Sequence, residues 1–127
     1  MARPKAATLT ERELEVMQVF WDHGELAAMD ARDELERQGR DLSYTTVATL
    51  TRILLEKGFL KQVTHQRPFR FQPIRSHAEV SKNLLGELLK RVFGGSREQL
   101  LLRLMEGDKL TARERDVLEQ ILQRKRP

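Results

Sequence analysis

Residues 42–73 read LSYTTVATLTRILLEKGFLKQVTHQRPFRFQP. The first half has the marks of a helix that stops abruptly. Ser43 is an N-cap type, and Val47, Leu50, Leu54 and Leu55 recur at helical spacing. Gly58 suits the left-handed position that closes a helix. A hairpin follows at once. Phe59–Thr64 and Phe69–Pro73 flank His65-Gln66-Arg67-Pro68, and in the second strand Phe69 and Phe71 alternate with Arg70 and Gln72. Pro73 ends the pattern. From 40 to 75, Arg40, Arg52, Lys57, Lys61, Arg67, Arg70 and Arg75 face only Asp41 and Glu56. Residues 11–36 reverse the balance, with nine acidic side chains against Arg12 and Arg32. An acidic helix pair followed by a basic helix and a basic hairpin is the charge layout of a winged helix-turn-helix.

The flanking segments fit that frame. Thr10 and Glu13 form a capping box, with Leu9 and Leu14 placed for a hydrophobic staple. The helix that follows carries Leu14, Met17, Phe20 and Trp21 on one side and breaks at Gly24. A second helix spans about 27–37, with Met29, Ala31 and Leu35 as its apolar points, and Leu26 is placed to add a short strand to the wing sheet. The core of this half is expected from Leu14, Phe20, Trp21, Leu50, Leu54, Phe69 and Phe71. Downstream, Ser76…Glu79, Ser96…Gln99 and Thr111…Glu114 are further capping boxes. They predict helices near 77–93, 97–106 and 112–125, separated at Gly94-Gly95 and Gly107.

Those three helices hold more apolar surface than they can hide among themselves. Leaving it in water costs about 25 cal/mol per Å2. A second copy of the chain is the simplest cover, with Leu84, Leu88, Val92, Leu101, Leu104, Leu118 and Ile121 as the dimerisation residues. The same leucines beside Lys82, Lys90 and Arg91 also admit a membrane-surface reading. The expected fold is mainly α with a small β wing. Residues 1–75 form a winged helix-turn-helix domain, and residues 76–127 form a helical dimerisation region.

Composition sets the outer limits. The chain has 127 residues, a formal charge of +4, a pI near 9.8 and no cysteine. The mild basic excess favours nucleic acid as a partner. The lack of cysteine removes disulfides, thiolate metal sites and a cysteine nucleophile. No stretch approaches the roughly 20 apolar residues of a membrane span, so no membrane insertion is expected. The basic start, MARPKAATLT, lacks the apolar core of a signal peptide and reads as a frayed arm. The tail from Gln123 to Pro127 reads as solvated, and the cytoplasm is the expected compartment.

No constellation for catalysis stands out. His23, His65 and His77 lack metal-ligand spacing and read as surface or loop residues. Glu11, Glu13 and Glu15 sit where carboxylates complement a helix dipole. Gly94-Gly95 is a helix break with no phosphate-loop pattern around it. No cofactor, metal or enzymatic activity is expected.

The helix at 44–57 carries the candidate chemistry. Its leading turns offer Ser43, Tyr44, Thr45, Thr46, Ala48 and Thr49, with Arg52 deeper along it. Threonine hydroxyls and methyls can meet base edges or phosphates, Tyr44 can donate to phosphate, and Ser43 serves both as cap and as phosphate ligand. Arg67 at the hairpin tip is the natural wing-to-phosphate contact. The rival reading is an amphipathic helix with a polar face and a solvated turn arginine. With few long donors on the leading face, modest base specificity per half-site is expected, with DNA shape and dimer spacing adding the rest.

Five blocks in order resemble the penicillinase-repressor family, the regulators of β-lactamase and of methicillin resistance. They are LTERELEVMQVFW, SYTTVATLTRILLEKGFL, the wing ending RPFRFQP, the long helix ending RVFGGS, and LLLRLMEGDKLTARERDVLEQIL. The likeness runs over about 9–122. It implies a homodimeric repressor bound to an inverted-repeat operator in double-stranded DNA. In the best-known members a membrane metalloprotease sensor detects β-lactam and leads to cleavage in the fifth helix. Arg103-Leu104 occupies the place of their Asn-Phe cleavage bond. Thr45 and Ala48 stand where they carry long basic side chains. Copper-responsive relatives use a cysteine-rich tail, a route closed to this chain. Two other readings are a winged-helix protein-interaction adaptor without DNA binding and a small hydrolase. Salt-dependent binding to duplex DNA separates the adaptor from the repressor, and the missing nucleophile–base pair speaks against the hydrolase.

Overall fold

The computed structural model describes residues 8–107 and 109–125; the expected N-terminal arm before Thr8, and Arg126 and Pro127 of the tail, lie outside them. The elements run α1 (Glu11–His23), β1 (Leu26–Ala27), α2 (Ala28–Arg37), α3 (Tyr44–Glu56), β2 (Leu60–Gln62), β3 (Arg70–Pro73), α4 (His77–Phe93), α5 (Arg97–Met105) and α6 (Ala112–Arg124). They divide into two compact units, Met1–Leu85 and Gly86–Pro127, each described on its own. The first unit thus reaches ten residues past 75, and Val80 of α4 is 3% exposed within its core.

In the first unit, α1 begins with a complete capping box. Thr10 Oγ1 accepts the Glu13 amide at 3.1 Å, and Glu13 Oε1 accepts the Thr10 amide at 3.0 Å. The helix buries Val16, Met17, Val19 and Phe20, while Leu14 and Trp21 are only partly covered. The expected one-sided stripe was therefore too narrow. α1 packs against α2, α3 and β3, so a wider arc of it meets protein. Trp21 instead marks the edge, where its indole N–H donates to the Arg75 carbonyl at 2.9 Å and the ring meets His77 edge-on at 5.0 Å.

α2 buries Ala28, Ala31 and Leu35, and Met29 turns outward at 48% exposed. Ala27 has no side-chain acceptor to cap this helix, so Asp30 reaches back to accept the Ala27 amide at 3.0 Å. α3 buries Val47, Thr51 and Leu54, with Leu50 and Leu55 half-buried. Thr51 belongs to the inner face because its hydroxyl donates to the Val47 carbonyl at 2.8 Å and leaves no unpaired hydrogen. Gly58 takes a φ of 85°, and the chain turns straight into the sheet.

The sheet is antiparallel in the order β1-β3-β2. Leu26 pairs with Phe71, Gln62 also pairs with Phe71, and Leu60 pairs with Pro73. The short strand expected at Leu26 is thus present. Of the expected core, Phe20 and Leu54 are fully buried and Phe71 nearly so. Phe69 is half-buried, because it lies at the turn rather than in the paired part of β3.

In the second unit, α5 starts at Ser96, which accepts the Gln99 amide at 3.1 Å. α6 starts with a complete box between Thr111 and Glu114. At Ser76, which heads α4 in the first unit, and at Ser96 only the serine half of the expected box forms. Among its described residues this second unit buries no side chain: Leu88, Val92, Leu101, Leu104, Ile121 and Leu122 are 42–65% exposed.

Candidate nucleic-acid interface

α3 presents its first turn to water. Ser43 Oγ accepts the Thr46 amide at 3.1 Å and donates to Thr46 Oγ1 at 3.0 Å. Its proton is thus held by the cap. The amides of Tyr44 and Thr45 are left at the positive end of the helix, where an anion is favoured. Tyr44, Thr45 and Thr49 are exposed, and Thr46 and Ala48 are half-buried. No acidic side chain occurs in α3 before Glu56, which pairs with the exposed Arg52 at 3.2 Å.

The wing turn is braced by Thr64. Its hydroxyl accepts the Arg70 amide at 3.1 Å, and the Val63 amide donates to the Arg70 carbonyl at 2.7 Å. This fixes the hairpin tip, where Arg67 is exposed with its guanidinium 5.4 Å from the centre of the Phe69 ring. Among the described residues Arg67 and Lys61 form no ion pair, and Lys61 is exposed on β2.

The rest of the basic set is largely spoken for, which corrects the picture of an open basic face. Arg70 Nε lies 2.7 Å from Glu25 Oε2, and Nη1 lies 3.6 Å from Asp30, which ties the wing to β1 and α2. Arg40 lies 2.6 Å from Glu15; the hydrogen bond and the charge of that carboxylate raise the guanidinium pKa further. Lys57 Nζ reaches Glu13 Oε1 at 2.8 Å. Burial pushes the Glu13 carboxyl up, but Lys57 and the Thr10 amide together outweigh it and hold its pKa below the ordinary value. Arg75 stacks 5.0 Å over Phe59. Linear charge counting missed this because the partners are as many as 45 residues apart. Conversely, the outward Met29 joins the surface beside α3, although it was not singled out as a contact; it could have been found as the residue off the Ala28-Ala31-Leu35 stripe.

The residues expected to dimerise fall in different settings. Leu84 packs against the core of the first unit. Leu88, Val92, Leu101, Leu104 and Ile121 are exposed, and half-buried Leu118 lines a groove of about 460 Å3 between α5 and α6. Arg103 and Leu104 lie in the last turn of α5; Arg103 pairs with Glu106 at 3.2 Å and Leu104 is 65% exposed. Among the described residues no three His, Cys, Asp or Glu side chains gather as a metal site, and no helix is long and apolar enough to cross a membrane. His65 is exposed in the hairpin turn, and His23 lies 3.6 Å from Glu34.

Three helices closed by a β-wing, with a solvent-facing third helix and an arginine at the wing tip, define a winged helix-turn-helix. The family can be stated as well: the model for the penicillinase repressor matches residues 9–124, and the chain belongs to that family. It is 28% identical to the penicillinase repressor of Bacillus licheniformis, covering 94% of this chain and 92% of that protein. It is 29% identical to the transcriptional regulator BlaI of Mycobacterium tuberculosis, over 93% and 85% of the two chains. The methicillin resistance regulatory protein MecI of Mammaliicoccus sciuri is 26% identical, over 95% and 98%. The solution structure of the DNA-binding domain of the repressor BlaI aligns with a TM-score of 0.52 at 26% identity, covering 62% of this chain and 93% of that one.

Proposed function

We propose that the chain is a homodimeric transcriptional repressor that holds an inverted-repeat operator. The observation that carries this is the pairing of an acid-free, exposed α3 start with an unpaired wing-tip Arg67 in a chain of this family. Ser43, Tyr44, Thr45, Thr46, Ala48, Thr49 and Arg52 face the major groove or its flanking phosphates, and Arg67 takes a phosphate beside it. Two copies joined through Leu88, Val92, Leu101, Leu104, Leu118 and Ile121 set half-sites about one turn, ~34–36 Å, apart. Repression is by occlusion of the promoter. Release is by cutting α5 at Arg103-Leu104, with a membrane metalloprotease sensor as the partner that triggers it; the supporting feature is the exposed place of Leu104 in the last turn of α5.

The experiment is selection of bound fragments from the source genome by the full chain, followed by a salt titration on an enriched fragment. Enriched promoters with paired half-sites, and affinity falling steeply with salt, are expected. Fragments bound without enrichment and without salt dependence would overturn the reading. They would favour an interaction adaptor.

A further inference from the structure

A groove of about 660 Å3 opens between the start of α2, the leading face of α3 and the wing. Its walls include Met29, Tyr44, Ala48 and Phe69, with Arg52 and Arg67 as its two cations and no carboxylate. Met29 is 48% and Tyr44 47% exposed. An apolar surface this open, edged by guanidinium groups, calls for an anion that also carries apolar groups.

We propose that this groove reads the C5 methyl groups of thymine, with Ala48 and Met29 as the specificity-determining side chains. The inference rests on the repressor reading above and says what that site selects. Its first support is chemical elimination within α3. From Tyr44 to Thr49 there is no arginine, lysine, asparagine or glutamine. The bidentate donors that pick out guanine or adenine are therefore missing from the turns that enter the groove. What remains is hydroxyl and methyl surface, and in the major groove the methyl of thymine is the apolar feature on a base edge. Its second support is charge: no carboxylate lies among the walls, and Arg67 has no ion-pair partner among the described residues, so even with Arg52 held by Glu56 at 3.2 Å the wing side of the groove admits a phosphate-bearing strand. Its third is placement. Ala48 is half-buried on the groove side of α3, so a base methyl can reach its side chain without a clash from a longer residue. Met29 is unbranched and flexible, and fits a methyl whose position shifts with local DNA geometry.

The test uses the full chain and the duplex it enriches most from a random-sequence library. That duplex is remade with deoxyuridine in place of one thymidine at a time, which removes the C5 methyl and no hydrogen-bonding group. At one or more positions in each half-site, affinity is expected to drop roughly three- to fivefold, the scale of one methyl left in water. Ala48→Ser and Met29→Gln are each expected to shrink that preference, while an unchanged melting temperature reports that both remain folded. Equal affinity for the thymidine and deoxyuridine duplexes at every position overturns the inference and leaves the repressor reading standing. A full methyl preference kept by both variants overturns it too, because the methyl is then read elsewhere. Failure to enrich any duplex overturns the repressor reading itself.

Discussion

Lys57, just past the end of α3, places its ammonium 2.8 Å from Oε1 of Glu13, in the first turn of α1. The same carboxylate oxygen closes the α1 capping box. One buried acid therefore joins a helix start to the end of the candidate recognition helix. Lys57→Met leaves Glu13 buried without its cation, and unfolding in urea should show a loss of about 1–3 kcal/mol. The pH dependence has a definite sign. Because the folded-state pKa of Glu13 is depressed, its contribution is fully present above the ordinary glutamate value of about 4.3 and is lost as pH falls through the lower folded value. Glu13→Gln should flatten the acid limb of the stability curve, as followed by Trp21 fluorescence.

Arg67 and Arg70 lie three residues apart and should behave oppositely. Arg67 has no ion-pair partner among the described residues, so Arg67→Ala should keep the melting temperature and lower the slope of log affinity against log salt by roughly one. Arg70 holds Glu25 and Asp30, so Arg70→Ala should loosen the wing and lower the melting temperature. Identical outcomes for the two would refute the division between binding and structural arginines.

Thr49→Ala and Thr45→Ala remove exposed hydroxyls from α3 without touching its buried face. They should change the ranking of operator variants by about 1–3 kcal/mol at the affected base pair while leaving affinity for random duplex unchanged. A competition series across all single-base variants decides it.

Leu88→Asp puts a charge on the exposed apolar face of α4. Sedimentation should show the parent chain as a dimer and the variant as a monomer at tens of micromolar. A chain ending at Arg103 lacks Val117, Leu118, Ile121 and Leu122 and should also be a monomer. Its operator affinity should fall on the order of a hundredfold or more, because the second half-site contact is no longer linked to the first. A monomeric parent sinks the dimer; equal operator binding by the shortened chain sinks cleavage in α5 as the release step.

Gly86 lies inside α4, and a Cβ added there meets nothing within 4 Å in the single chain. Gly86→Ala should raise stability by about 0.5–1 kcal/mol through backbone entropy. A loss measured by calorimetry instead would place that position against a partner copy.

Helix starts are legible in the sequence because a cap is local: Thr10 with Glu13 and Thr111 with Glu114 sit three residues apart and behave as expected. The hairpin was legible because its alternation and turn residues are local too. What escaped was settled across the chain. Val16 and Val19 are buried because three elements surround α1, which no single stripe reveals. Thr51 looked polar until its hydroxyl found the Val47 carbonyl. Of seven basic side chains between 40 and 75, four have carboxylate partners, and for Arg40, Lys57 and Arg70 those partners lie 25 to 45 residues away. Charge counting located the surface but overstated how much of it is free.

The second unit has no interior of its own among its described residues. In the homodimer proposed above, a partner copy would cover what this unit leaves exposed and add stability to it. By mass action, that stability then grows with the logarithm of concentration. In that proposed homodimer, folding of the last helices and pairing of two copies would be a single equilibrium. Operator occupancy by that dimer would then rise with the amount of chain present, before any signal is met.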